Sequence, residues 1–160
     1  MPPDVIPPSE RIAAAFTKLS ASAKTINSIS DELAKPIVAL ESALQRLNLG
    51  VACWTKIGAG ESSPDVTWRH DVGYAQVKGV WCIAVKSGEG PDDPEYWRET
   101  EWAFNEAPRH LRIKAVDKLP ELMEALVEAA EATAKRMAQK VAPANELAAA
   151  VNALLPGPKK

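Results

Sequence analysis

The adjacent residues His70 and Asp71 are the pair in this sequence that most directly suggests metal chemistry. A His-Asp pair can bind a divalent metal for phosphate-ester hydrolysis when further histidines and aspartates complete the ligand set. The only other histidine in the sequence is His110, so the set cannot be completed. We therefore predict that His70 is a partly exposed strand histidine beside an aspartate, and we predict no metal site.

Two further carboxylates, Glu99 and Glu101, alternate along a predicted strand and share one of its faces with Trp97. Paired carboxylates can catalyse glycoside hydrolysis. A predicted meander of four strands leaves little room for a substrate cleft, so we predict no catalytic residues. A small hydrolase that uses His70 and Asp71, or Glu99 and Glu101, remains an alternative function.

The two cysteines, Cys53 and Cys82, lie in apolar segments and form no CxxC motif. Cysteine in such a context behaves as a small buried hydrophobe, and burial makes its thiol less reactive. The glycine-rich stretch 57–63 lacks both the dinucleotide fingerprint and the Gly-Lys-Ser/Thr of a phosphate-binding loop. The N-terminus lacks the basic and apolar segments of a secretory signal. We therefore predict reduced cysteines, no cofactor and a cytoplasmic location.

Segment 109–118 holds the basic cluster of the sequence. Its members are Arg109, His110, Arg112, Lys114 and Lys118. Such groups can bind a nucleotide, a nucleic acid or an acidic protein surface. The whole chain has a net charge of −2, which is not typical of a nucleic-acid-binding protein. We favour a solvated charged face, or ion pairs with the acidic segment 51–107, and keep anionic-ligand binding as an alternative function.

All five tryptophans lie between residues 54 and 102. We expect Trp54 and Trp81 to be core residues. The other three, Trp68, Trp97 and Trp102, cannot all share one sheet face with them, and tryptophan is enriched at binding hot spots. At least one is therefore predicted to contact a protein partner. The candidate binding residues are these three tryptophans together with Arg109, His110, Arg112 and Lys114.

The N-terminal third carries a seam of apolar residues at alternating spacings of four and three, which is typical of a coiled coil. The seam consists of Ile12, Phe16, Leu19, Ala23, Ile26, Leu33, Ile37, Leu40, Leu44 and Leu47, interrupted by Ser30. Residues 1–8 are proline-rich and predict an extended tail, and residues 9–48 predict helix. Pro36 lies inside the seam, and the sequence leaves open whether it kinks the helix or divides it.

Residues 51–104 predict four antiparallel strands. The strands are assigned to residues 51–57, 66–77, 80–86 and 95–104, with a loop over 58–65. Lys78-Gly79 predicts a two-residue hairpin turn, which pairs Val77 with Val80 and Val72 with Val85. One face then holds Val72, Tyr74, Trp81, Ile83 and Val85, and the other holds Gly73, Ala75, Val77, Val80, Cys82 and Ala84. The face of small residues permits close approach, for which a helix is the expected occupant.

Residues 106–155 predict helix, although 109–116 could also be extended. In the helical alternative, Asn105 caps a helix that starts at Glu106. A long helix begins at Leu119 and ends near Pro143, a short terminal helix follows, and residues 156–160 form a second tail. The predicted fold is α+β in a single domain over 9–155, with a long N-terminal helix kinked or broken near Pro36 and a four-stranded meander.

These patterns favour a non-enzymatic cytoplasmic protein that acts as an adaptor or regulator through protein–protein interactions. A continuous helix of about 40 residues would span roughly 60 Å, which exceeds the diameter of a compact domain of this size. Part of its apolar seam therefore needs another helix. We expect self-association through the long amphipathic helices, most simply as a dimer, and no membrane contact.

Overall fold

The computed structural model describes residues 5–158, which form a long helix, a four-stranded sheet and two further helices. The helices are α1 (Pro8–Leu47), α2 (Arg109–Val116) and α3 (Leu119–Leu154). The strands are β1 (Cys53–Ser63), β2 (Val66–Val77), β3 (Val80–Gly90) and β4 (Arg98–Ala103). The predicted α+β class is confirmed. The tail predictions for residues 1–4 and 159–160 lie outside the described residues.

The chain divides into two compact units at the end of α1. The first unit extends to Ala43 and contains most of α1. The second begins at Leu44 and contains the last turn of α1, the sheet, α2 and α3. Within the second unit, the side-chain amide of Gln45 donates a hydrogen bond to the carbonyl oxygen of Trp81 on β3, at 2.7 Å.

Two prolines lie inside helices that continue past them. α1 is not divided at Pro36, and α3 extends beyond Pro143 to Leu154. The predicted short terminal helix is therefore the last part of α3, and Pro143 does not end the long helix. Each proline removes a single backbone donor, whereas the alanine- and leucine-rich residues 144–154 strongly favour helix on the far side.

The sheet is an antiparallel meander in the order β1-β2-β3-β4. The predicted hairpin register is confirmed, with Val77 opposite Val80 and Val72 opposite Val85. Lys78 and Gly79 both have positive φ, 52° and 81°, which is the left-handed geometry of a two-residue turn. β1 is longer than predicted, because most of the expected loop 58–65 pairs with β2 across two bulges.

The region around β4 differs from its prediction at both ends. Single-turn 3-10 helices, Pro94–Tyr96 and Phe104–Glu106, replace the outer parts of the expected strand 95–104. Asn105 does not cap the next helix, because α2 begins at Arg109 directly after Pro108. Segment 109–116 is helix, which settles the alternative that the sequence left open.

The hydrophobic core lies on the bulky face of the β2–β3 hairpin. Val72, Ile83 and Val85 are fully buried there, and α2 and α3 pack against the sheet. Leu111 and Ala115 of α2, Leu122 and Leu126 of α3, and Phe104 complete this core. α2 covers the same face, since His70 alternates with Val72 and lies within electrostatic range of His110 and Lys114 on α2.

Among residues 5–158, no helix is both long and apolar enough to cross a membrane. This agrees with the sequence, in which charged side chains recur throughout both long helices.

The packing of α3 against the sheet predicts a strong contrast between two positions on that helix. Leu122→Ala should lower the free energy of unfolding by about 2–5 kcal/mol, because it opens a cavity at a fully buried side chain. Val127→Ala, at a residue that is 57% exposed on the same helix, should change it by no more than about 0.5 kcal/mol. Chemical denaturation measures both values. Equal effects of the two substitutions would contradict this placement of α3.

Candidate binding site between Trp54 and Trp97

Two tryptophan rings lie on the small-residue face of the sheet, each above a glycine. Trp54 on β1 is directly opposite Gly73 on β2, and its ring fills the space that a β-carbon on Gly73 would need. The ring of Trp97, just before β4, does the same above Gly88 on β3. Indole rings therefore pack directly against this face at Gly73 and Gly88, whereas the sequence predicted that a helix would cover the face.

Strand alternation places charged side chains from three strands on the same face as the two rings. Arg69 and Asp71 come from β2. Lys86 on β3 is opposite Asp71, and Glu99 on β4 is opposite Gly88. Together with Trp54, Gly88 and Trp97, these four residues line a solvent-open cavity of about 320 Å³. We call it the two-tryptophan cavity.

Asp71 is the only charged residue that is buried among those the structure describes, with 3% of its surface exposed. Arg69 holds it by donating from Nε to both carboxylate oxygens, at 2.8 and 2.9 Å, while Nη2 lies 2.7 Å from Oδ1. This hydrogen bond and the charge of Asp71 raise the pKa of Arg69 above its already high usual value. The guanidinium of Arg69 therefore stays charged at any ordinary pH.

A second charged pair links the two rings. The Nζ atom of Lys86 lies 4.2 Å from the ring centroid of Trp54 and 3.7 Å from Oε1 of Glu99. The indole Nε1 of Trp97 donates a long hydrogen bond to the other carboxylate oxygen of Glu99, at 3.4 Å. The cavity thus presents two cations, two carboxylates and two aromatic rings, already arranged relative to one another.

The structure separates the tryptophans predicted to bind a partner. Trp97 lines the cavity, whereas Trp68 and Trp102 occupy register positions on the opposite face of the sheet. The ring of Trp68 lies 4.8 Å from that of His70 and covers Gly60.

The predicted basic residues lie together on α2. Arg109, His110 and Lys114 are exposed, and Arg112 is half-buried with its Nε atom lacking a hydrogen-bond partner.

Sequence reasoning missed Trp54, Arg69 and Lys86 as members of a site. Trp54 was assigned to the core, and the two cations were treated only as strand residues. A signal was present in the sequence, because Arg69, Asp71 and Lys86 fall on one face in the predicted β2–β3 register, whereas Gly88 lies beyond the predicted strand end at residue 86. The contribution of β1 could not be found this way, since its register depends on a bulge between Lys56 and Gly58.

His70 and Asp71 point to opposite faces of β2, so they do not meet at one site. Burial and the positive charges of Lys114 and His110 lower the pKa of His70, against a smaller opposing effect of Asp71. Cys53 and Cys82 are both free thiols, and burial raises the pKa of Cys53. Among residues 5–158, no group of three or more histidine, cysteine, aspartate or glutamate residues is placed to hold a metal.

No protein-family model, curated protein or solved structure matches this chain. Its function must therefore be inferred from its own residues and their geometry.

The buried carboxylate predicts the effect of removing its cation. Arg69→Ala should lower the free energy of unfolding by about 1–3 kcal/mol, because it leaves Asp71 buried without its hydrogen-bond donor. Arg98→Ala is the matched control, since Arg98 is exposed and lies on the opposite face. Chemical denaturation should show little change for the control. A variant at Arg69 as stable as the control would show that Asp71 does not depend on this pair.

The lowered pKa of His70 predicts a pH-dependent term in stability. Between the pKa of the unfolded chain, about 6.5, and the lower folded value, the unfolded state binds more protons. The stability contributed by neutral His70 is therefore fully present above the unfolded pKa and is lost as the pH falls towards the folded pKa. His70→Gln should flatten the stability profile between pH 7 and 5 in denaturation experiments, and His110→Gln should retain more of the slope. A constant difference between wild type and His70→Gln across this range would contradict the shift.

Proposed function

We propose that this chain is a non-enzymatic protein that self-associates through the outer parts of its two long helices. The observation that supports this most directly is exposure. Every residue of α1 from 8 to 29, and every residue of α3 from 134 to 154, is exposed. We refer to these as the exposed segments of α1 and α3.

The exposed segment of α1 carries the first half of the apolar seam. Ile12 and Phe16 are each 69% exposed and Leu19 is 64% exposed, although they continue the same seam as the buried Ile37 and Leu44. Apolar side chains at this spacing form one stripe along a helix. A stripe that is buried at one end and bare at the other is suited to a further helix along its bare half.

α3 also carries a stripe that is buried at one end and exposed at the other. In α1 the exposed end comes first along the chain, and in α3 it comes last. The apolar stripe of α3 begins nearer the sheet, at the half-buried Met123 and the buried Leu126, before it reaches the exposed segment. The same stripe continues outward through residues that are more than half exposed. These are Met137, Val141 and Val151. No charged residue interrupts the outer half of the stripe.

The two exposed segments are matched in length, at about 33 Å for α1 and about 32 Å for α3 at the helical rise of 1.5 Å per residue. Helices in proteins draw most of their stability from packing an apolar face, and among residues 5–158 these segments are exposed without such packing. A second copy would supply two helical segments of the same length and apolar pattern. Closed two-fold pairing, the commonest arrangement of identical chains, would cover the stripes without leaving new ones exposed.

Self-association is tested by placing a charge on each stripe. Phe16→Glu and Val141→Glu should each raise the dissociation constant of the oligomer at least tenfold, because a carboxylate would be buried in an apolar interface. Ala21→Glu and Gln139→Glu add the same charge on the same helices away from the stripes, and should leave it unchanged. Sedimentation equilibrium or light scattering after size exclusion measures the mass.

A wild-type chain that remains monomeric across a hundredfold range of concentration would overturn the proposal. So would an oligomer that responds equally to the stripe variants and to their controls. Circular dichroism of each variant shows whether its helices remain folded.

A further inference from the structure

We propose that the two-tryptophan cavity binds a neutral carbohydrate, a short chain of linked sugar units lying across β2 and β3. This inference concerns a different surface from the helical stripes and does not depend on self-association.

The first argument is the aromatic content of the cavity. Trp54 and Trp97 are half-buried, and the backbone beneath them at Gly73 and Gly88 fixes their positions. Large rigid rings supply contact area while losing little conformational entropy on binding. A sugar ring presents a flat face of C–H groups that suits such a surface at Trp97. Over Trp54, its hydroxyl groups would meet the ammonium of Lys86, whose Nζ lies 4.2 Å from the ring centroid.

The second argument is the balance of hydrogen-bonding groups. Arg69 and Lys86 can only donate hydrogen bonds, whereas the carboxylate of Glu99, which is 43% exposed, can accept them. A sugar hydroxyl both donates and accepts, so it can bridge groups of either kind. A ligand with only donors or only acceptors would leave one kind of partner unsatisfied.

The third argument is electrostatic. Two positive and two negative side chains line the cavity, so its formal charge is zero. The surrounding segment 51–107 carries five basic and ten acidic residues, a net charge of −5. A phosphate-rich ligand would be repelled by this segment, and a cation would compete with Lys86 at Trp54 and Glu99. A neutral polar ligand carries no charge for this segment to repel, and its hydroxyl groups can accept a hydrogen bond from Lys86 where it lies over Trp54.

The fourth argument is that the polar groups are accessible yet already positioned. The side chains of Arg69 and Glu99 are 51% and 43% exposed, while the partners that orient them, Asp71 and Lys86, are 4% and 19% exposed. Preorganised partners reduce the entropy lost when a ligand binds. Holding a carboxylate as buried as Asp71 disfavours folding unless it is well paired, and here it fixes Arg69 at the cavity wall.

The shape of the site favours an elongated ligand. Gly73 is opposite Ala84, four residues before Gly88 on β3, so the two glycines lie about 14 Å apart along the strands. Trp97 also borders an adjacent hollow of about 340 Å³ lined by Pro91, Asp92 and Pro94. A chain of sugar units could therefore extend from Trp54 to Trp97 and past it.

The test begins with a panel of soluble neutral oligosaccharides built from glucose, mannose, galactose or N-acetylglucosamine, screened by tryptophan fluorescence and confirmed by calorimetry. At least one member should bind. A labelled oligonucleotide and an acidic peptide serve as anionic comparisons and should not bind at the same site. Absence of binding across the neutral panel, or binding of the anionic probes alone at Trp97, would overturn the proposal.

A substitution that moves a ring without changing the polar groups sharpens the test. Gly88→Ala places a β-carbon where the Trp97 ring lies, and should weaken oligosaccharide binding at least tenfold. Gly60→Ala is the matched control, because its β-carbon would lie 2.9 Å from the ring of Trp68 on the opposite face. The control should bind as the wild type does.

A second variant guards against loss of folding. If Gly88→Ala fails to give a cooperative thermal transition, Trp97→Ala removes the ring without adding atoms to the sheet. It should fold and lose binding to the same extent. A folded Trp97→Ala protein that binds the oligosaccharide with unchanged affinity would overturn the proposal.

Discussion

The left-handed turn at Lys78 and Gly79 is the constraint on which most of this structure depends. It fixes the register of β2 against β3, and the register decides which residues share a face. A slip of one residue would send the core residues of the slipped strand, Val72 on β2 or Ile83 on β3, to the side that now carries Arg69 and Gly88. The core and the two-tryptophan cavity are therefore two results of one pairing.

The two faces of the sheet have different roles because of this pairing. One face is filled by large apolar side chains and covered by α2, so it stabilises the fold. The other carries glycines at Gly73 and Gly88, and these admit rings from the flanking segments. Charged residues on this second face pair with one another, which makes a half-buried polar surface compatible with a stable sheet.

The parts that could be predicted from the sequence are those governed by local periodicity. The hairpin followed from its turn, and both long helices followed from apolar spacing. The extent of β1 did not follow, because glycine and serine at 58–63 have low strand preference and are held by pairing with β2. The role of Trp54 was missed for a related reason, since it depends on a neighbour in another strand. The predicted helix end at Pro143 was wrong, because losing one backbone hydrogen bond there costs less than the helix-favouring residues beyond it contribute.

The outer strands of the sheet also bear on how the protein avoids unwanted assembly. In the part of the chain that the structure describes, β1 and β4 each pair with a strand on one side only. β1 is interrupted by two bulges, and β4 is short and contains Arg98, Glu99 and Glu101. Bulges and charges at a sheet border discourage the addition of a strand from another molecule, which is a common route to amyloid-like aggregation. The sheet can therefore keep an open polar surface without offering a template for such a strand.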